Sequence, residues 1–276
     1  MITRNQLRAT LLLALATLVS IGCAKSAPEK PRPEAARQVL KLRGYDFNAD
    51  SFIAAIDASD EFAIQSFLDG GIDVNVRRKS DGQTPLIFAA ANGKMNAAKV
   101  LLNHNADVNL KDSGNLTALF RAFLNGHDDI AKLLVEQTKL DVNARGLNDV
   151  TALISYTSRN QTDVVESLVA RNADVNAQDK DGDAPIHLAA RNGNVEILKL
   201  LVAKGAKLDL ANKVGGTALM WAAAFGHTEA ARFLIDHGAN VAVKDGDGMT
   251  AAAWAARNKQ DEVVQLLLSV SARGRN

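Results

Sequence analysis

Six times along this chain a threonine or alanine opens a run of small apolar residues, and the interval hardly varies. Thr84, Thr117, Thr151, Ala184, Thr217 and Thr250 follow one another at 33, 34, 33, 33 and 33 residues. A second marker keeps the same beat: Val74, Val108, Val142, Val175, Leu208 and Val241. A period in the range of roughly 20–50 residues is the signature of a solenoid, in which each unit contacts only its neighbours. That constraint outweighs length. A chain of 276 residues would otherwise suggest one or two domains, but a solenoid grows without splitting its core. It also bears on function, because stacked units present extended surfaces rather than enclosed reaction chambers.

Within one period the residues read as two helices and a turn. In TPLIFAAANGKMNAAKVLLNHNADVN (84–109), Thr84 is suited to cap a helix and Pro85 to its first position, where a missing N–H costs nothing. Gly93 ends that helix, and Gly126, Asn160, Gly193, Gly226 and Lys259 take the same slot. Most of these accept a left-handed backbone. The second helix carries apolar pairs at helical spacing, such as Val164, Val165, Leu168 and Val169, or Val263, Val264, Leu267 and Leu268. It ends at Gly71, Asn105, Asn172, Gly205 or Gly238, and a polar tip suited to a turn or hairpin follows. Ala89, Ala122, Ala189, Ala222 and Ala255 would let first helices pack closely. A single such unit cannot bury its apolar face, so stacking is obligatory.

This pattern resembles the ankyrin repeat. The segment DGDAPIHLAARNGNVEILKLLVAKGAKLD (181–209) is the closest match, with His187 in the family's histidine slot. The resemblance implies an all-α solenoid of stacked helix-turn-helix units with short hairpin or turn tips. It covers residues 50–276: a degenerate cap at 50–80, then repeats at 81–112, 113–146, 147–180, 181–213, 214–246 and 247–276. The unit at 147–180 breaks the pattern. Tyr156-Thr157 replace the Ala-Ala pair, Asn160 replaces the glycine, and the preceding unit carries an extra residue in its Glu136–Leu140 loop. Two readings stand for it: drift within an internal unit, or a functional departure, either a local bend or a tyrosine aimed at a partner. At the far end, Arg257 to Glu262 supply the polar outer surface expected of a terminal unit.

The N-terminus reads differently. Arg4 and Arg8 precede an uncharged, mostly apolar run from Ala9 to Ile21, too short for a membrane-spanning helix and suited to a signal peptide over 1–22. The lone cysteine, Cys23, follows Val-Ser-Ile-Gly and resembles the lipid-modified cysteine of a bacterial lipobox. No disulfide framework is possible with one cysteine. Ala24, where inner-membrane lipoproteins carry Asp, implies an outer-membrane anchor facing the periplasm of a Gram-negative cell. Soluble periplasmic or secreted placement is the alternative. AKSAPEKPRP (24–33) reads as an extended tether and Glu34–Arg43 as a short lead-in helix, so that 23–49 forms a leader to the repeats. Loss of residues 1–22 removes Arg4 and Arg8 and turns the formal charge from +1 to −1. Interspersed charge of that size argues against a nucleic-acid surface. Membrane contact would come only through the lipid.

Repeat geometry absorbs the residues that could carry chemistry. His104, His127, His187, His227 and His237 all fall in scaffold slots and lack metal-ligand spacing. KDGDG (244–248) lacks the spacing and distal glutamate of a calcium loop, so the tip aspartates read as turn formers. No nucleophile elbow or phosphate loop is present. The expectation is a monomeric, non-enzymatic protein without a metal or other cofactor that binds one or more proteins. The resemblance implies docking on the tips and the concave face of the first helices. Residues mapped there include Trp221, Phe225, Met249, Trp254, Leu116, Leu124, Arg191 and Arg257, of which Phe225, Met249, Leu116 and Leu124 are apolar where exposure is expected. Trp221 and Trp254 share one slot and either pack between first helices or join Phe225 and Met249 in a docking patch. Three roles fit such a binder: an immunity protein against a periplasmic toxin, a partner or protector of an envelope enzyme such as a catalase, and a secreted effector engaging host proteins. The lipobox and tether weigh against the last.

Overall fold

The computed structural model describes residues 32–273. The signal-like segment, Cys23 and the proline-rich stretch through residue 31 lie outside the described residues. The rest is helical. The leader contributes α1 (Pro33–Leu42), and the degenerate unit α2 (Ala49–Asp57) and α3 (Glu61–Asp69). The six repeats follow as pairs: α4 (Pro85–Ala91) with α5 (Met95–Asn103), α6 (Ala118–Asn125) with α7 (Asp128–Val135), and α8 (Ala152–Ser158) with α9 (Thr162–Ala170). Then come α10 (Pro185–Arg191) with α11 (Val195–Ala203), α12 (Ala218–Ala224) with α13 (Thr228–Asp236), and α14 (Ala251–Arg257) with α15 (Asp261–Arg273). The first helices of successive units pack in one row and the second helices in another.

Among the described residues there is no strand. One isolated antiparallel bridge joins Arg145 and Thr151, so the tips are turns rather than hairpins. No helix among the described residues is long and apolar enough to cross a membrane.

Pro33, placed by sequence in the extended tether, instead occupies the first turn of α1. A proline breaks a helix by lacking an N–H, and the first turn has no use for that N–H. The lead-in helix packs on α3, buries Leu40 completely, and donates Arg37 Nε–H to Gly70 O at 3.0 Å. It thus takes the place of a preceding second helix at the end of the stack.

The predicted caps form at most slots. The hydroxyls of Thr84, Thr117, Thr151 and Thr250 accept the N–H of the third residue on. Thr217 is buried but makes no such bond, and nothing in the structure explains the difference. At Ala184 a histidine compensates: His187 Nδ1 accepts the Ala184 N–H at 2.9 Å, and its Nε2–H donates to Leu210 O at 2.7 Å. Only the neutral imidazole can do both. The left-handed slots after both helices hold as read, at Gly93, Gly126, Asn160, Gly193, Gly226 and Lys259 and at Gly71, Asn105, Asn172, Gly205 and Gly238.

Units are joined by ladders that the 33-residue marker only hinted at. The residue after each valine or leucine marker reaches into the next unit. Asn75, Asn109, Asn143, Asn176 and Asp209 accept backbone N–H groups from Asp107, Asp141, Asp174, Lys207 and Asn240 at 2.8–2.9 Å. The next position is Ala242, whose methyl group has no acceptor with which to continue the ladder. Arg77, Lys111, Arg145 and Gln178 form a second ladder, each donating to a carbonyl at the corresponding place one unit on. Tips also join directly through Ser113 N–H to Asp81 O, Lys180 N–H to Asn148 O, Lys213 N–H to Asp181 O and Gly246 N–H to Val214 O. At the last of these Gly215, at φ +81°, has no room for a side chain, since a Cβ would stand 2.6 Å from Gly246 N.

No such backbone bond joins the tips of the second and third repeats. There a 3-10 turn at Leu147–Asp149, with Asn148 and Asp149 left-handed, replaces the regular tip. The same seam has the thinnest first-helix contact in the row, between α6 and α8. Tyr156 explains it. This residue stands in the slot of Ala89, Ala122, Ala189, Ala222 and Ala255, is wholly buried, and meets Phe123 edge-on with ring centroids 5.1 Å apart. A tyrosine aimed at a partner is therefore excluded; the ring is a wedge inside the stack.

Side chains bridge the widened seam. Arg159 lies over the Phe123 ring at 3.9 Å and donates to Phe123 O. Arg171 donates to Val135 O, Gln137 O and Thr138 O, the last two in the inserted loop.

The Tyr156 hydroxyl has no hydrogen-bond partner among the described residues, and burial raises its pKa far above the ordinary phenol value. A buried hydroxyl left unpaired costs about 1–3 kcal/mol. Tyr156→Phe should therefore raise the urea midpoint by the equivalent of about 1 kcal/mol. Tyr156→Ala should lower stability by roughly 3–5 kcal/mol through the cavity it leaves. A destabilised Tyr156→Phe would show that the hydroxyl is satisfied.

His187 generates a pH dependence. Burial holds its pKa below the ordinary 6.5, against the opposing pull of the Leu210 hydrogen bond and of Asp183 and Asp179. As pH falls the unfolded chain protonates first, so its contribution is complete above about 6.5 and declines below it. Wild-type unfolding free energy should drop between pH 7 and 5. The His187→Gln protein, less stable throughout, should show a shallower drop, and identical slopes would refute the assignment.

Candidate docking face

On each first helix the fourth, seventh and eighth residues after the cap lie on one face, at the i, i+3, i+4 spacing of helix neighbours. In the fifth repeat these are Trp221, Ala224 and Phe225; in the sixth, Trp254, Arg257 and Asn258; in the fourth, Leu188, Arg191 and Asn192. Apart from Leu188, which is buried, these residues are half-buried or exposed.

Trp221 and Trp254 meet edge to face with centroids 5.4 Å apart and ring planes at 79°. Trp221 stacks on Phe225 at 6.1 Å, and Phe225 stacks on His227 at 6.4 Å with planes nearly parallel. Such pairs contribute about 0.5–1.5 kcal/mol beyond the area they bury. Both expected placements of the tryptophans are thus realised at once: the rings pack on each other and keep part of their surface in solvent. Phe225 is 51% exposed.

The turn before each first helix fixes the rings. Asp245 Oδ1 accepts the N–H groups of Asp247 and Met249, and Oδ2 accepts Trp254 Nε1–H at 2.6 Å. Burial pushes the Asp245 pKa up, but these hydrogen bonds and the charge of Arg257 outweigh it and hold the carboxyl below its ordinary value. The same slots, before and on the first helix of the second repeat, hold Asp112 and Arg121. Asp112 accepts the Gly114 and Leu116 N–H groups on Oδ1 and pairs with Arg121 at 2.6 Å through Oδ2.

In the turn before the first helix of the fifth repeat the carboxylate is missing. Asn212 Oδ1 accepts the Val214 and Gly216 N–H groups, but its amide nitrogen donates to Asp183 instead. Trp221 Nε1 is left buried without a hydrogen-bond partner among the described residues.

Phe225 breaks a second rule. The corresponding residues Asn92, Asn125 and Asn258 each donate their amide to the carbonyl four residues back, and Asn192 donates to Thr157 O and Ser158 O of the preceding unit. These bonds satisfy carbonyls that a helix end leaves open. Phenylalanine cannot make them. Both departures were visible by aligning the chain with itself, as Asn212 in an aspartate slot and Phe225 in an asparagine slot. Their consequence depends on which side-chain atoms meet, which spacing does not report.

Other proposed positions fare differently. Leu116 is 6% exposed, not a surface residue: the Asp112 turn draws its N–H inward and the side chain follows. Met249, in the same slot, is half-buried, with its N–H held by Asp245. Leu124 is 49% exposed but sits in the second repeat, away from the cluster. Arg191 is half-buried and Arg257 exposed, and neither forms an ion pair or side-chain hydrogen bond among the described residues. Among the described residues no group of three histidine, cysteine or carboxylate side chains could hold a metal ion.

Comparison with known proteins agrees with this architecture. The chain is 34% identical over 139 residues to alpha-latrocrustotoxin-Lt1a of Latrodectus tredecimguttatus, covering 50% of this chain and 10% of the toxin. It is 32% identical over 132 residues to neurogenic locus notch homolog protein 1 of Xenopus laevis, covering 48% of this chain and 5% of that protein. A putative ankyrin repeat protein of Rickettsia felis is 26% identical over 135 residues, 49% of this chain and 44% of the relative. The matched stretch is thus less than half the length of each of these relatives. A crystal structure of an ankyrin repeat domain from Acinetobacter baumannii superposes with a TM-score of 0.63 at 26% identity, covering 68% of this chain and 97% of that one. A family model described as ankyrin repeats in three copies matches residues 52–146, 139–212 and 205–275. With stacked helix pairs, left-handed slots and inter-unit ladders all in register, the chain belongs to the ankyrin-repeat family, whose repeats generally mediate protein–protein interaction and are typically non-catalytic.

Proposed function

We propose that this protein is a non-catalytic binding module, tethered by a lipid on Cys23 to the outer membrane and facing the periplasm, that captures a partner protein on the first-helix face of its fifth and sixth repeats. The observation that carries the binding site is Phe225. A scaffold position served by asparagine in four of the six repeats is given to a half-exposed aromatic ring. The helix loses a terminal hydrogen bond, and the neighbouring Trp221 keeps a buried N–H unpaired among the described residues. Departures from a local rule without a compensating gain in the fold concentrate at functional sites, and exposed aromatics backed by packed aromatics are the usual anchors of interfaces. The anchor rests on Arg4, Arg8, the uncharged run from Ala9 to Ile21 and the lone cysteine at the end of it.

Phe225→Asn separates binding from stability. It restores the asparagine of the other repeats, so the variant should unfold at an equal or higher temperature while losing the partner that wild-type protein retains from envelope extracts. Phe225→Asp should lose it as well. Retention at wild-type level by both variants would sink the proposed face. For the anchor, Cys23→Ser should abolish incorporation of radiolabelled palmitate and move the protein from the membrane to the soluble envelope fraction. Equal labelling of both proteins would exclude a lipid at that residue.

A further inference from the structure

The first helices of the six repeats, α4, α6, α8, α10, α12 and α14, contain no aspartate or glutamate, whereas three of them carry an arginine, Arg121, Arg191 and Arg257, and Arg159 directly follows α8. The carboxylates of these units stand on the tips and second helices. Of the tip acids, Asp112 and Asp245 are turned onto their own turns, and Asp183 accepts the Asn212 amide. Asp181 and Asp247 are exposed on the loops.

Two of the four arginines are committed to the fold: Arg121 to Asp112, and Arg159 to the ring and carbonyl of Phe123. The other two are not. Arg191 has no side-chain partner among the described residues, and Arg257 exerts only a longer-range pull on Asp245. They occupy one slot on the fourth and sixth repeats, on either side of Ala224 and beside Phe225. With helices packed at about 8–10 Å, the pair spans roughly 16–20 Å, the reach of five or six residues of extended chain.

We infer that the partner presents an acidic segment to this face, with an apolar side chain against Phe225 and Trp221 and carboxylates on either side for Arg191 and Arg257. This rests on the docking face proposed above and adds the chemistry of its ligand. Unpaired arginines beside an exposed aromatic match the composition of interface anchors. Planar guanidinium groups take carboxylates in paired hydrogen bonds, and the missing acids on the first helices remove the repulsion that an acidic ligand would otherwise meet. A basic segment would face two arginines and no first-helix carboxylate.

The test is a selection from a phage-displayed library of random short peptides, on the immobilised full chain and in parallel on Phe225→Asn and Arg191→Glu/Arg257→Glu proteins, each shown to melt like wild type or higher. The expected result is enrichment of peptides with an apolar residue between acidic ones. Their affinity should fall roughly tenfold or more on the double arginine variant and steeply with added salt. Enriched peptides that are neutral or basic, and that bind the arginine variant as well as wild type but not Phe225→Asn, would overturn the acidic ligand and leave the docking face standing. Peptides that bind Phe225→Asn as tightly as wild type, or no enrichment over that variant, would overturn both.

Discussion

Everything in this molecule depends on how closely one first helix can approach the next. A unit of two short helices has no interior of its own, and its apolar surface becomes core only when a neighbour covers it. The residue that sets the distance is the alanine five positions after the cap, completely buried at Ala89, Ala122, Ala189, Ala222 and Ala255. With a methyl group there, backbones come together, tips fall into register, and the asparagine and arginine ladders reach their carbonyls and N–H groups one unit on. The one exception shows how strong that control is. Tyr156 in the alanine slot coincides with the thinnest first-helix contact, a missing tip-to-tip bond and a rebuilt 3-10 tip.

That exception also shows how a solenoid tolerates local error. Because each unit touches only its neighbours, the widened seam is confined to one interface. Long side chains span it: Arg159 and Arg171 reach carbonyls that backbone contact would otherwise approach, and Lys132 pairs with Asp163 at 2.7 Å across the same seam. The exposed Lys132–Asp163 pair adds little by itself. The buried Tyr156–Phe123 contact fills the space the wedge creates, which is why the disrupted unit still shares the common core.

The aromatic face of the last two repeats is a departure of another kind. At the seam, a scaffold defect is repaired by the fold. At Phe225 and Trp221 the fold gives up an asparagine cap and an acceptor and receives only ring stacking in return, with half of one ring left in water. The sixth repeat shows that a tryptophan in this slot can be fully served, because Asp245 accepts the Trp254 indole. The difference between the two tryptophans is one atom in the preceding turn, the nitrogen of Asn212 where Asp245 has an oxygen. Arg191 and Arg257 flank the same place without a side-chain hydrogen bond or ion pair among the described residues, so an unsatisfied indole, an exposed phenyl ring and two uncommitted arginines fall on one face.

Much of the fold was legible in the sequence because its determinants are local and repeated. Left-handed slots, caps, the proline at the first turn and the apolar period each depend on residues within a few positions, and repetition at 33 residues multiplied a weak signal. Exceptions were legible as exceptions: Tyr156, Asn160 and the inserted loop were visible, as were Phe225 and the paired tryptophans. Their meaning was not. Whether Tyr156 points into the stack or out of it, whether Leu116 is covered by its own turn, whether Pro33 ends a tether or starts a helix, and whether an indole N–H finds an oxygen are questions about atoms brought together from different units. Sequence alone determined that units must stack, since no unit can bury its own apolar face. Only the tertiary structure decided which side chains the stacking leaves buried, bridged or unsatisfied, because that depends on inter-helix distances that a single bulky residue can change.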